Sequence, residues 1–167
     1  DSIVVGKFVG KEALAAVGAS FPVIFIMVSM IIGLVMGTTV VISQYFGAKD
    51  FVKVKRAIDT MYIYSAIIGT IATITGIFIS EPLLRLIDLP EDIIPQAVLY
   101  LKIYLGGILI FFGFNGTSAV LRGLGDSKTP LYFLIIASIA NIILVILFVG
   151  VFKWGVAGAA YATLLAN

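Results

Sequence analysis

Residues Thr129–Phe152 read TPLYFLIIASIANIILVILFVGVF and contain no charged side chain. A spanning α-helix needs about 20 mainly apolar residues, so this stretch is long enough to cross a bilayer. A charge at the bilayer centre costs roughly 2.5–3.5 kcal/mol, which explains why such a helix avoids one. Four other stretches also lack charges: Ala13–Ala48, Thr60–Ser80, Ile103–Leu121 and Trp154–Asn167. The 11 basic and 9 acidic side chains all lie outside these stretches, which predicts an all-α, polytopic helical membrane protein.

The composition argues against most soluble functions. Hydrophobic residues make up 61% of the chain and charged residues only 12%, against about a quarter in soluble domains. A net charge of +2 without a basic stripe gives no reason to expect nucleic acid as a partner. The chain has no Cys and no His, and it carries no serine-hydrolase, zinc-protease or P-loop motif. We therefore expect neither an enzyme nor a bound cofactor.

The uncharged stretches predict an up-down bundle of transmembrane helices. We place complete spans at about 13–46, 57–80, 97–122 and 130–153. Pro22 predicts a kink or a helix start within the first span, because proline lacks the backbone N–H. Residues 1–9 are typical of the end of one further helix and residues 155–167 of the start of another. The chain is thus expected to be a fragment of a larger polytopic protein.

The basic residues indicate the orientation in the membrane. Short cytoplasmic loops carry an excess of Lys and Arg. The total balance between the two sides is nearly even, but Lys49, Lys53, Lys55 and Arg56 cluster close to two helix ends. We therefore expect loops 47–56 and 123–129 to be cytoplasmic. Residues 81–96, the longest predicted connector, would lie outside.

Polar residues at membrane depth are the candidates for function. Asn141 lies near the middle of its span, Gln44 nearer a helix end, and Asn115 beside glycines that favour close packing. Each amide could instead make an interhelical hydrogen bond, worth about 0.6 kcal/mol on average. Asp1 would lie inside the membrane if a helix precedes it, and would otherwise be exposed. The residues alone leave these alternatives open.

Several motifs in order resemble the multidrug and toxic compound extrusion (MATE) transporters. Residues 1–6 (DSIVVG) and 12–18 (EALAAVG) are similar to the exit of the family's first helix and the entry of its second. Residues 44–50 (QYFGAKD) resemble its Q-x-x-G-A loop, and residues 122–130 (RGLGDSKTP) its R-G-x-G-D-[ST]-[KR]-T-P loop. Residues 155–163 (GVAGAAYAT) are similar to the opening of helix six.

The resemblance implies a lobe and an ion site. MATE transporters have two six-helix lobes around a central cavity, and residues 1–167 would be most of the N-terminal lobe. The family's cation or proton site would fall on Asp1, Asn141 and Thr163. Val145 stands where the family often carries a second acid. A metal ion needs several oxygen ligands whereas a proton needs one carboxylate of raised pKa. The coupling ion is therefore expected to be H⁺ in preference to Na⁺, although backbone carbonyls could still complete a sodium site.

The resemblance also implies an activity. The full-length protein would be a secondary active antiporter of the plasma (inner) membrane that exports amphipathic, often cationic organic compounds. Asn141, Asn115 and Gln44 would line its substrate cavity, and its partners would be the substrate, lipid and a second lobe. A related flippase for lipid-linked oligosaccharides is one alternative, although no Arg or Lys lies within the uncharged stretches of the complete spans. A membrane scaffold that transports nothing is another, and it predicts no effect of mutating Asn141 on a substrate response.

Overall fold

The computed structural model describes residues 2–166 and contains helices without any β-strand in that part of the chain. The elements are α1 (Ser2–Phe8), α2 (Lys11–Gly47), α3 (Phe51–Leu86), α4 (Ile94–Gly106), α5 (Ile108–Gly123), α6 (Lys128–Val145) with a π-helical extension (Ile146–Val151), and α7 (Gly155–Ala166). Three of them, α2, α3 and α6 with its extension, are long and apolar enough to span a membrane. Together α4 and α5 would make a fourth, bent span. The prediction of an all-α chain with spanning helices is confirmed.

Helix α2 is the centre of the bundle and packs against α3, α4 and α5. One buried cluster joins α2, α4 and α5 around Ile31, Leu105 and Phe112. A second cluster joins α1, α2, α4, α6 and α7 around Val5 and Val145. Helix α6 contacts mainly α7 and touches α5 much less. The hairpin of α6 and α7 therefore leaves a groove between α5 and α6.

Of the two outcomes expected at Pro22, a kink or a helix start, the helix start is wrong, because α2 runs without interruption from Lys11 to Gly47. Pro22 is exposed, so its ring displaces no neighbouring helix. The missing N–H removes one hydrogen bond, and helices in membranes tolerate this where nearby groups bond locally.

The connector predicted at residues 81–96 is also too long. Helix α3 continues through Pro82 to Leu86, and α4 begins at Ile94. Glu81 and Arg85 lie in the last part of α3 and make an ion pair at 3.1 Å. Charge marked the end of the apolar stretch correctly, but the helix itself extends beyond it.

The single helix expected across 97–122 is broken at Gly107, where α4 and α5 meet at an angle of 45°. Thr73 of α3 donates its hydroxyl to the Leu105 carbonyl at 2.9 Å, directly before the break. Gly107 is buried, and the side chain of Leu164 from α7 occupies the space where a Cβ would lie. The bend between α4 and α5 therefore packs against α7, a helix that is distant in sequence.

Candidate functional site

Asn141 and Thr163 meet between α6 and α7. The Asn141 Nδ2 lies 3.4 Å from the Thr163 Oγ1, and Thr163 also donates to the Ala159 carbonyl at 3.1 Å. The chain reverses between the two helices through Lys153 and Gly155, whose φ angles of 56° and 59° are left-handed. This turn sets α6 beside α7, so residues 22 positions apart come into contact.

Asp1, the third residue of the expected ion site, lies outside the described residues. Helix α1 begins at Ser2 and packs against α2, α7 and the π-helical extension of α6. Val5, one turn into α1, is fully buried in the same cluster as Val145 and Ala159. The N-terminal helix is thus anchored against the two helices that carry Asn141 and Thr163.

Val145 occupies the position at which the resemblance expects a second acid in many relatives. Its exposure is 1%, and it packs with Val5 and Val149 in an apolar cluster. A carboxylate would be costly there, because burial without a partner penalises the charged form.

The described residues, 2–166, contain no group of three or more acids, His or Cys that could hold a metal ion.

A pocket of about 300 Å³ surrounds the Asn141–Thr163 contact. Its remaining lining residues are Leu134, Ala137, Ser138, Ile142 and Ala166. Ser138 donates its hydroxyl to the Leu134 carbonyl at 2.7 Å. One amide and two hydroxyls in apolar walls can hydrogen-bond a small ligand or contribute oxygen atoms to a cation.

Asn115 lies on α5, on the opposite side of the groove. Its Nδ2 donates to the Phe111 carbonyl at 2.9 Å, and the residue lines a pocket of about 280 Å³ with Ser118 and Arg122. A third pocket, of about 350 Å³, shares Ser118 with the pocket of Asn115. It also shares Ala137 with the pocket of Asn141. We call these three adjoining pockets the α5–α7 groove.

Gln44 does not belong to this groove. It is exposed in the last turn of α2, where its carbonyl accepts the Ala48 amide at 3.0 Å. Sequence reasoning instead missed Ser118, Ser138 and Arg122, which do line the groove. Serine is common in packed membrane helices, and Arg122 lies at a helix end. Ser118, Ser138 and Arg122 therefore gave no distinct signal of a functional site in the sequence.

Comparisons with known proteins agree with this arrangement. A family model described as MatE matches residues 1–147. The chain is 41% identical over 167 residues to the probable multidrug resistance protein YpnP of Bacillus subtilis, covering 100% of this chain and 38% of that protein. It therefore spans less than two fifths of that relative's length.

Solved structures show the same fold. A crystal structure of MATE in the bent conformation superposes with a TM-score of 0.95 at 33% identity, covering 99% of this chain and 37% of that one. The inward-facing conformation of a multidrug resistance MATE family transporter gives a TM-score of 0.94 at 32% identity, covering 99% and 38%. The fold is thus that of one lobe of such proteins.

Proposed function

Because this chain belongs to the MatE family, we propose that its full-length protein is a secondary active antiporter that exports amphipathic, often cationic organic compounds. Its family and relatives are transporters, so the expectation that it is not an enzyme is confirmed. The name of the Bacillus relative, a multidrug resistance protein, supports drug-like substrates. The observation that carries the proposal is the contact between Asn141 and Thr163 inside the α5–α7 groove.

The coupling site would combine Asp1 with Asn141 and Thr163. A carboxylate hydrated in one state and buried in the other binds a proton with different affinity in the two states. Only such a difference lets an ion shift a conformational equilibrium. Among residues 2–166, the apolar surroundings of Val145 offer no second carboxylate, which favours H⁺ over Na⁺ as the coupling ion.

The substrate would occupy the α5–α7 groove and the second lobe would close it. Phe114 and Phe133 line the middle pocket and supply aromatic walls for an amphipathic cation. Asn141 and Asn115 lie on its two sides and would fix the orientation of the substrate. Gln44, at the end of α2, would contribute only in a conformation that brings α2 towards the substrate.

The protein would lie in the plasma (inner) membrane, with the segments predicted as loops 47–56 and 123–129 cytoplasmic. Because α3 begins at Phe51 and α6 at Lys128, these segments include the first residues of both helices. The basic residues of the first loop support this orientation. A second lobe of the same chain would complete the cavity, since the relatives are more than twice as long as this sequence.

The test is efflux of a fluorescent organic cation from cells that express the full-length protein. Asn141→Ala and Thr163→Val should each lower efflux several-fold at equal amounts of membrane protein. Thr70→Val is the matched control, because Thr70 is exposed on α3 and, within residues 2–166, its hydroxyl bonds only the Ala66 carbonyl of its own helix. Efflux that is equal in all three variants would refute the assigned site.

A further inference from the structure

A pocket of about 480 Å³ lies between α2 and α3, apart from the α5–α7 groove. None of its lining residues lines the groove. Tyr45, Lys53 and Arg56 line it at the charged ends of the two helices. Val41, Met61 and Tyr64 line it further along the helices. We call it the α2–α3 pocket.

The charged end of the pocket has a surplus of positive charge. Lys53 pairs with Asp50 at 2.9 Å, and its Nζ lies 5.6 Å from the centre of the Tyr45 ring. Arg56 is exposed, and no acid of residues 2–166 lies within ion-pair distance of its guanidinium. Lys49 and Lys55 add two further cations to the same short segment.

The other end of the pocket is suited to a hydrocarbon chain. Val41 is exposed on α2, whereas Met61 is buried and forms part of the floor between α3 and α5. Tyr45 and Tyr64 flank the pocket, and tyrosines settle at the level of lipid headgroups. A cationic rim next to a spanning helix attracts anionic lipids by about 1 kcal/mol for each Lys or Arg near the surface.

We propose that the α2–α3 pocket binds one anionic phospholipid, with its phosphate at Arg56 and Lys53 and an acyl chain along Val41 and Met61. The unpaired guanidinium complements the phosphate, and the apolar end complements the chain. If the segment 47–56, which includes the first residues of α3, is cytoplasmic as proposed, this lipid comes from the inner leaflet. Its binding holds the ends of α2 and α3 together and stabilises the folded protein in proportion to the lipid concentration.

The experiment uses the full-length protein in nanodiscs of phosphatidylcholine that contain 0 to 30 mol% phosphatidylglycerol. Native mass spectrometry counts the retained phosphatidylglycerol, and thermal unfolding gives Tm. Arg56→Gln should weaken retention about fivefold, the effect of one interfacial charge, and remove most of the rise in Tm. Lys55→Gln is the matched control, because it makes the same charge change in the same turn but does not line the pocket.

Val41→Phe tests the acyl end without a change of charge and should also weaken retention. Glycerol 3-phosphate added to phosphatidylcholine nanodiscs should leave Tm unchanged, since the site needs the acyl chain. Equal losses in Arg56→Gln and Lys55→Gln would overturn the proposal in favour of a diffuse surface charge. No dependence on phosphatidylglycerol in the unaltered protein would overturn it as well, and would indicate that the second lobe covers the pocket.

Discussion

Gly107→Ala should destabilise the bundle because Leu164 occupies the space of the new methyl group. A Cβ at Gly107 would overlap the Cδ2 of Leu164 and lie 2.8 Å from its Cγ. Turning only the end of the side chain cannot clear the Cγ, so the Leu164 rotamer or α7 itself must move. Such overpacking costs about 1–3 kcal/mol. Alanine would recover about 0.4–1 kcal/mol by restricting the unfolded chain, since the Gly107 φ of −96° suits any residue.

Gly107→Ala should therefore lower the free energy of unfolding by about 1–2 kcal/mol, and it should also impair substrate efflux. Leu164 is adjacent to Thr163, so a shift of α7 would change the geometry of the 3.4 Å contact with Asn141. Thermal unfolding of the purified full-length protein measures the first effect, and substrate efflux measures the second. Gly106→Ala is the matched control, because nothing lies within 4 Å of a Cβ at that position.

A double-mutant cycle isolates the clash from other effects of alanine. Leu164→Ala removes the atoms that the new methyl group meets. Gly107→Ala should therefore be neutral or slightly stabilising in the Leu164→Ala background, which gives a coupling of about 1–3 kcal/mol. If Gly107→Ala behaves like Gly106→Ala, or costs the same in both backgrounds, Leu164 does not determine the bend.

Two further predictions concern hydrogen bonds at helix ends and breaks. Thr73→Val should cost about 1 kcal/mol in thermal unfolding, because it removes the 2.9 Å bond to the Leu105 carbonyl, whereas Thr70→Val should be silent. Hydrogen bonds from the Thr129 side chain and amide, with one from the Lys128 amide, hold the pKa of Asp126 below its ordinary value. The ordinary pKa of this carboxyl is 3.8. Because its pKa is lower in the folded protein, the carboxylate stabilises the fold at pH values above 3.8, and this stabilisation is lost as the pH falls through the lower pKa of the folded state. Asp126→Asn should flatten this acid-side loss of Tm, which thermal unfolding at a series of pH values measures.

The long helices could be predicted because lipid imposes a strong constraint on sequence. A chain in a bilayer must satisfy its backbone internally and exclude charge, so uncharged stretches indicate spanning helices directly. The end of α3 was misplaced because that rule marks the edge of the apolar region, and a helix can continue past it through Pro82. The helix start expected at Pro22 was wrong, because the loss of one backbone hydrogen bond does not end a helix when the residues on either side keep theirs.

The break at Gly107 could not be predicted from local sequence. Gly106 and Gly107 have equal propensities, and the difference between them comes from Leu164, which is far along the chain. The contact of Asn141 with Thr163 likewise depends on the hairpin of α6 and α7. Composition singled out Asn141 as a polar residue at membrane depth, but only the resemblance to a family paired it with Thr163.

The most direct test of the account is transport by the full-length protein in proteoliposomes under separate pH and sodium gradients. A pH gradient alone should drive movement of a fluorescent organic cation against its concentration, and Asp1→Asn should abolish the coupling without preventing insertion. Coupled efflux that is undiminished in Asp1→Asn, or driven only by sodium, would contradict proton-coupled antiport through Asp1, Asn141 and Thr163.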